Sequence, residues 1–179
     1  QYLRTPINLG KGGAVMHGLK NVSTTHIIIH DADLEYDPND IYKMFDKLSN
    51  SNSLILGSRY LKNKNLNSKN MNYLLDKIEK VSTFFFNKIF KTKLTDIGSC
   101  YKLMPSQFLK QNKFFEKGFY MELEFLSKFV NQGGDVIEVP IDYFGRKKSD
   151  GKKNNIFIMI KFFITIFKIS LKENRLFSR

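Results

Sequence analysis

Tryptophan is absent from this 179-residue chain, and cysteine, histidine and proline are scarce, with one, three and four residues. A single cysteine, Cys100, excludes an internal disulfide and any cysteine-rich zinc site, and it suits a reducing compartment. His17, His26 and His30 have no metal-ligand spacing. No Ser-His-Asp or Cys-His order supports a nucleophilic relay. Acids are also in short supply: 17 Asp and Glu face 29 Lys and Arg, a formal net charge of +12. That balance invites nucleic acid, anionic lipid or phosphorylated substrates. Apolar residues make up 42% and aromatics 14%, mostly Phe. This is the composition of a globular domain with a core, not of a disordered chain.

The densest signal is Ile27-Ile28-Ile29-His30-Asp31-Ala32-Asp33-Leu34-Glu35. A β-branched run predicts a strand buried on both faces, as in a parallel α/β sheet, and such sheets place ligands at the carboxyl ends of their strands. Asp31 and Asp33 stand at that end, one residue apart. Two neighbouring carboxylates repel. A divalent cation with oxygen ligands compensates them, and one held by so few carboxylates usually shares itself with substrate phosphates. The competing reading is a pair of solvated turn-forming acids.

Strands alternate with helices along the chain, which predicts an α/β layer structure. Asn8-Leu9-Gly10-Lys11-Gly12-Gly13 opens a helix and could offer N–H groups to an anion, but it matches neither the P-loop nor the dinucleotide spacing. Asp37-Pro38-Asn39-Asp40 starts a helix with Ile41, Met44, Phe45 and Leu48 on one face. Ser53–Gly57 reads as a second buried strand, residues 61–71 as a mobile polar loop, and 72–90 as a long helix. Residues 95–102 read as a loop entering a strand. Phe119–Val130 reads as a helix ended by Gly133-Gly134, with Glu122 and Glu124 on a solvated face. Val136–Ile141 reads as a strand, and the basic run Arg146, Lys147, Lys148, Lys152, Lys153 follows it.

From Ile156 to Leu171 the chain is apolar except for Lys161, Thr165, Lys168 and Ser170. This is short of the roughly 20 residues of a membrane span. Lys161, Thr165, Lys168 and Lys172 recur at helical spacing as one polar stripe, so a basic amphipathic helix lying in a membrane interface fits. The other reading is a helix packed on its own domain with lysine tips snorkelling out. The expected division is therefore an α/β domain over 1–153 and a membrane-associated helix over 154–179.

Taken in order, Asn-x-Gly-Lys-Gly, strand-Asp-Ala-Asp, Pro-x-Asp-Ile, Gly-Ser-Arg, Thr-Asp-x-x-x-Cys-Tyr-Lys, Glu-Val-Pro-Ile and Arg-x-x-x-x-Gly-Lys-Lys resemble family 2 glycosyltransferases of the GT-A fold over about residues 5–155. The nearest branch resembles dolichyl- or polyprenyl-phosphate sugar transferases. The resemblance implies a Rossmann-like, mixed and mostly parallel sheet flanked by helices. It also implies inverting transfer from a nucleotide-sugar donor to a polyprenyl phosphate or glycan precursor. Asp31 and Asp33 would hold Mg2+ or Mn2+. Lys11, Asp31, Arg59, Lys152 and Lys153 would bind the donor. Arg146 would close on phosphates, and Asp96 would lie near the acceptor, as general base if that acceptor is a hydroxyl. The family's opening strand and its base- and ribose-binding stretches do not appear, which implies a carboxyl-terminal piece.

A cytoplasmic enzyme, peripheral at an anionic membrane and without a nucleic-acid partner, is the expectation. Two rival classes have their own signatures. A nucleotidyltransferase would carry a glycine-rich triphosphate loop and release pyrophosphate. A basic nucleic-acid module would use its aromatics for stacking, whereas these fall on helix core faces.

Overall fold

The computed structural model describes residues 2–48, 52–61, 73–146 and 156–172. The elements run α1 (Gly10–Leu19), β1 (His26–Ile28), α2 (Asp40–Phe45), β2 (Ser53–Ser58), α3 (Tyr73–Phe90), β3 (Lys102–Pro105), α4 (Ser106–Gln111), α5 (Met121–Asn131), β4 (Asp135–Pro140) and α6 (Ile156–Lys172). The four strands form one sheet in the order β1-β3-β2-β4.

β2 is buried along its whole length, as its Ser-Leu-Ile-Leu-Gly-Ser run predicts. Its side chains alternate between two cores. Leu54 and Leu56 join Phe86, Phe90, Met104, Phe125, Phe129, Ile166 and Ile169 on the face covered by α3, α5 and α6. Ile55 joins Met44, Tyr101, Leu103, Val139 and Ile141 on the other face, under α2. Each fully buried Leu or Ile here contributes about 2 kcal/mol from area removed from water.

The sheet is mixed, as expected, but its balance differs from the expectation. β2 runs parallel to β4, while β1–β3 and β2–β3 are antiparallel. β3 enters between β1 and β2 against both, so parallel pairing is the minority among the described strands. β1 is half-buried rather than enclosed on both faces, because β3 is its one partner among the described strands.

Local expectations mostly hold. α3 and α6 fall within one or two residues of their predicted bounds, and α5 is closed two residues after Asn131 by Gly133, which takes the left-handed conformation (φ +79°) that glycine permits. Phe45 departs: it is 63% exposed, because the six-residue α2 turns Met44 to the core instead. α4 was not expected. With two buried apolar residues, Phe108 and Leu109, it is too short to show periodicity. Its Ser106 hydroxyl reaches back to the carbonyls of Thr24 and Thr25, tying the start of β1 to the end of β3.

α6 packs on α3 and α5, with Ile166 and Ile169 in the main core. Thr165 leaves the predicted polar stripe: it is buried and donates to the Lys161 carbonyl. The outer face instead carries Ile160, Lys161, Ile164, Lys168, Leu171 and Lys172. No helix among the described residues is long and apolar enough to cross a membrane.

Candidate active site

After β1 the chain buries Ile29 and then turns through Asp31–Tyr36. The Asp33 carboxylate accepts the Glu35 N–H at 3.2 Å, a local bond that shapes the turn. Leu34 between them has φ +60° and is 86% exposed. A γ-branched residue in that region is strained. Since Leu34 packs against little, Leu34→Gly is expected to raise unfolding free energy by about 1 kcal/mol. Denaturant titration checks this, and a loss of stability would mean that the turn is relaxed.

Tyr36 is buried and anchors the turn. It bridges to Tyr143 in an isolated antiparallel pair and stacks on Tyr101 at 4.8 Å. The same pairing brings the segment after β4 alongside: the Phe144 N–H donates to the Glu35 carbonyl, and the Asp142 N–H to the Asp40 carboxylate. The segment therefore carries Arg146 to the acids. The Arg146 guanidinium lies 3.1 Å from Asp33 and 3.4 Å from Glu35, and its backbone N–H donates to Glu35 at 2.9 Å. The Tyr143 hydroxyl donates to the second Glu35 oxygen. Asp33 and Arg146, more than a hundred residues apart in the chain, meet here. Lys147, Lys148, Lys152 and Lys153 lie outside the described residues, as do positions 62–71 of the expected polar loop.

Asp31 has a different cation. Lys11, in the first turn of α1, places its ammonium 2.7 Å from Asp31 and 2.6 Å from Glu122 of α5. Burial alone would push the Lys11 ammonium toward neutrality. The Glu122 carboxylate, and then Asp31, outweigh it and hold Lys11 above the ordinary lysine range. The glycines around Lys11 serve close packing. A Cβ on Gly12 would stand 2.9 Å from the Glu116 and Lys117 backbones, and the Gly13 N–H donates to the Lys117 carbonyl. The α1 N-terminus is thus occupied by a neighbouring loop. That loop is clamped by Glu124, which accepts the N–H groups of Phe115 and Glu116.

Glu122 and Glu124 are buried, contrary to the solvated face expected of them. Beyond Glu122 stands Lys102, fully buried, 3.6 Å from the Glu122 carboxylate and donating to the carbonyls of Ile97 and Ser99. Burial drives Lys102 below the usual lysine range, against the pull of Glu122. Cys100, beside this group, has its thiol pushed up to about 12, first by burial and then by Glu122.

Arg59 and Asp96 form a separate unit behind the site. Both are buried, at 5% and 1% exposure. The Arg59 Nε and Nη2 atoms donate to the two Asp96 oxygens at 2.8 Å, and the Arg59 backbone N–H adds a third bond. Arg59 also donates to Glu79 at 3.0 Å and lies over the Tyr143 ring. Burial would raise the Asp96 carboxyl, but the guanidinium overrides this and holds it below the ordinary carboxylate range. Glu138 supports the loop by accepting the Thr95 and Asp96 N–H groups. In this arrangement both Asp96 oxygens are bound by Arg59, and the Arg59 guanidinium is shared between Asp96 and Glu79.

Among the described residues, no group of three or more His, Cys, Asp or Glu is arranged to hold a metal. Asp31 and Asp33 are two hard oxygen donors, each partly exposed at the side chain and each paired with one basic side chain. That set fits Mg2+ or Mn2+ shared with a diphosphate, and does not fit a cage built by protein alone. A polar cavity of about 510 Å3 lies at the opposite end of the sheet, by Thr25, Ser106 and Gln132, and no ionisable residue lines it.

Glu35, Glu79 and Lys102 complete the charge pattern and were given no role from sequence, and Glu122 was expected on a solvated face. Glu35 alone carried a local signal, as the third acid at alternate positions after Asp31 and Asp33.

The chain is 26% identical over 146 residues to a dolichol-phosphate mannosyltransferase of Pyrococcus furiosus, covering 80% of this chain and 40% of that protein. It is 25% identical over 148 residues to an uncharacterised protein of Methanocaldococcus jannaschii, covering 79% of this chain and 64% of the other. It therefore spans less than two thirds of either relative. Among solved structures, glucosyl-3-phosphoglycerate synthase from Mycobacterium tuberculosis in complex with UDP superposes with a TM-score of 0.66 at 13% identity, over 94% of this chain and 56% of the other. The two share a fold of the GT-A kind. The profile of glycosyl transferase family 2 matches residues 1–112, a stretch that holds Lys11, the acidic turn and the Arg59–Asp96 pair, and the chain belongs to that family.

Proposed function

We propose that the protein transfers a sugar from a nucleotide-sugar donor to a polyprenyl phosphate at a membrane surface. The observation that carries this reading is the acidic turn with a cation on each side, Lys11 at Asp31 and Arg146 at Asp33. Separate charges that neutralise each other in the resting state can be repartitioned when a diphosphate arrives. The similarity to a dolichol-phosphate mannosyltransferase supports the lipid acceptor.

In the reaction, the bond from the anomeric carbon to the donor diphosphate breaks and one from that carbon to an acceptor phosphate oxygen forms, with inversion. The nucleoside diphosphate leaves with the electron pair. Asp31 and Asp33 would hold a divalent cation, which supplies Lewis-acid stabilisation of the leaving charge. Lys11 and Arg146 add fixed positive charge beside the diphosphate. Lys152 and Lys153, on the expected phosphate-closing segment, would extend it. An acceptor phosphate is already anionic, so no general base is required. This agrees with Asp96 being tied up by Arg59.

The test is incubation of the full-length protein with radiolabelled nucleotide sugars and a short polyprenyl phosphate in Mg2+. Labelled lipid with released nucleoside diphosphate is expected. Released pyrophosphate would mean nucleotidyl transfer and overturn the proposal.

Membrane contact would fall to the outer face of α6 and the neighbouring part of α3. Ile160, Ile164 and Leu171 are exposed there between Lys161, Lys168 and Lys172, and Val81 and Phe84 are exposed on α3. A peripheral position on the cytoplasmic leaflet follows from anionic lipid being the complement of those lysines. Changing Lys161 and Lys168 to Glu is expected to weaken binding to phosphatidylserine vesicles by about tenfold or more. Unchanged co-sedimentation would remove the membrane role.

A further inference from the structure

Four charges of alternating sign run in a chain from the site into the core: Asp31, Lys11, Glu122 and Lys102, with contacts of 2.7, 2.6 and 3.6 Å. The side chains become steadily less accessible along it, from 32% at Asp31 to 15%, 9% and 0%. The two ends therefore differ in kind. Asp31 can exchange its partner for a ligand from solution. Glu122 cannot, because it stands in the first turn of α5 between Met121 and Leu123, which are buried in the main core.

Lys11 is bound at both its carboxylates in the resting protein. When a cation and diphosphate engage Asp31, that carboxylate's charge is drawn to the ligand. Without a second partner the Lys11 side chain, with its four rotatable bonds, would be released to many conformations. Glu122 keeps the ammonium where it is. The helical start around Lys11 is equally fixed, since Gly10 and Gly12 pack against the Lys117 backbone with no room for a side chain and the Gly13 N–H donates to the Lys117 carbonyl. The anchor is itself held by Lys102, which leaves Glu122 with a cation on each side.

We propose that Glu122 is a positioning residue for the donor diphosphate, acting through Lys11: it fixes the Lys11 ammonium beside Asp31 in both the empty and the ligand-bound site. The proposal rests on the glycosyltransferase reading above. It separates two acids that look alike in the sequence. Glu124 clamps the backbone of a loop, whereas Glu122 sets the position of a ligand-facing charge.

The test is a double-mutant cycle in the full-length protein, read by calorimetric binding of UDP and GDP with Mg2+. Lys11→Met and Glu122→Gln are each expected to weaken nucleoside diphosphate binding by about tenfold, the lower end of what supporting residues cost a site. The double variant should be no weaker than Lys11→Met alone, because Glu122 has nothing left to position. If Glu122→Gln does not fold, through the stranded Lys102 charge, then Glu122→Gln with Lys102→Met removes both buried charges and should show the same tenfold loss. Additive losses in the cycle, or affinity like that of the wild type when Glu122 is neutral, would overturn the proposal and leave the glycosyltransferase reading standing. Failure of the wild type to bind either nucleotide would sink both.

Discussion

Asp33→Ala is expected to lower sugar transfer about a thousandfold, the upper end of what one lost charge-stabilising group costs. The carboxylate has two partners: the Glu35 N–H, which shapes the turn, and Arg146 across it. Alanine removes the carboxylate proposed to hold a cation and also strands a guanidinium whose remaining acid is Glu35 at 3.4 Å. Asp33→Asn separates these effects. It keeps an oxygen for the turn and loses the charge, so transfer should stay as low as in the alanine variant while the melting temperature stays near that of the wild type. The assay is transfer to polyprenyl phosphate at saturating donor. Turnover within a few-fold of the wild type in both variants would remove the acidic turn from the chemistry.

The largest effect on stability is expected at Arg59. Arg59→Met leaves Asp96 as a charge at 1% exposure with its main partner gone. Breaking a buried pair from one side costs about 3–5 kcal/mol, a large share of the roughly 5–15 kcal/mol that holds a domain folded. Arg59→Met combined with Asp96→Leu removes both charges and should recover most of the loss. A single variant less than about 1 kcal/mol below the wild type would mean that the pair is not desolvated. The pH dependence has a definite sign. Asp96 is held below the ordinary carboxylate range, so its stabilisation is present above about pH 4 and is lost as pH falls through its lower folded-state value. The stability gap between the wild type and Asp96→Asn should therefore narrow in acid.

What the sequence made legible was whatever is local. The β2 run, the periodicity of α3 and α6, the glycine stop of α5 and the acidic turn after β1 are each written in fewer than twenty consecutive residues. The order of small motifs carried the family, because a sequence of weak signals is specific when each falls in its place. Long-range pairing was not legible. Nothing near Glu122 announces Lys11 from 111 positions away, and an acid in a helix's first turn reads as solvated by default. Asp96 shows the same limit. Its motif was visible, but its partner was not: Arg59, 37 positions earlier, folds onto both of its oxygens. The sheet misled for a related reason: an Ile-Ile-Ile run specifies a strand but not the direction of its neighbour.

The stitching of Glu35 to Arg146 spans 111 positions and that of Asp40 to Asp142 spans 102. Closures this long carry an entropic cost before any contact repays it, and they slow the steps that depend on them. The helices, by contrast, need only neighbours a few residues away. Refolding from denaturant should therefore return helical circular dichroism first and nucleotide affinity later. A chain still emerging from the ribosome would carry Asp33 and Glu35 without their cation until Arg146 had been made.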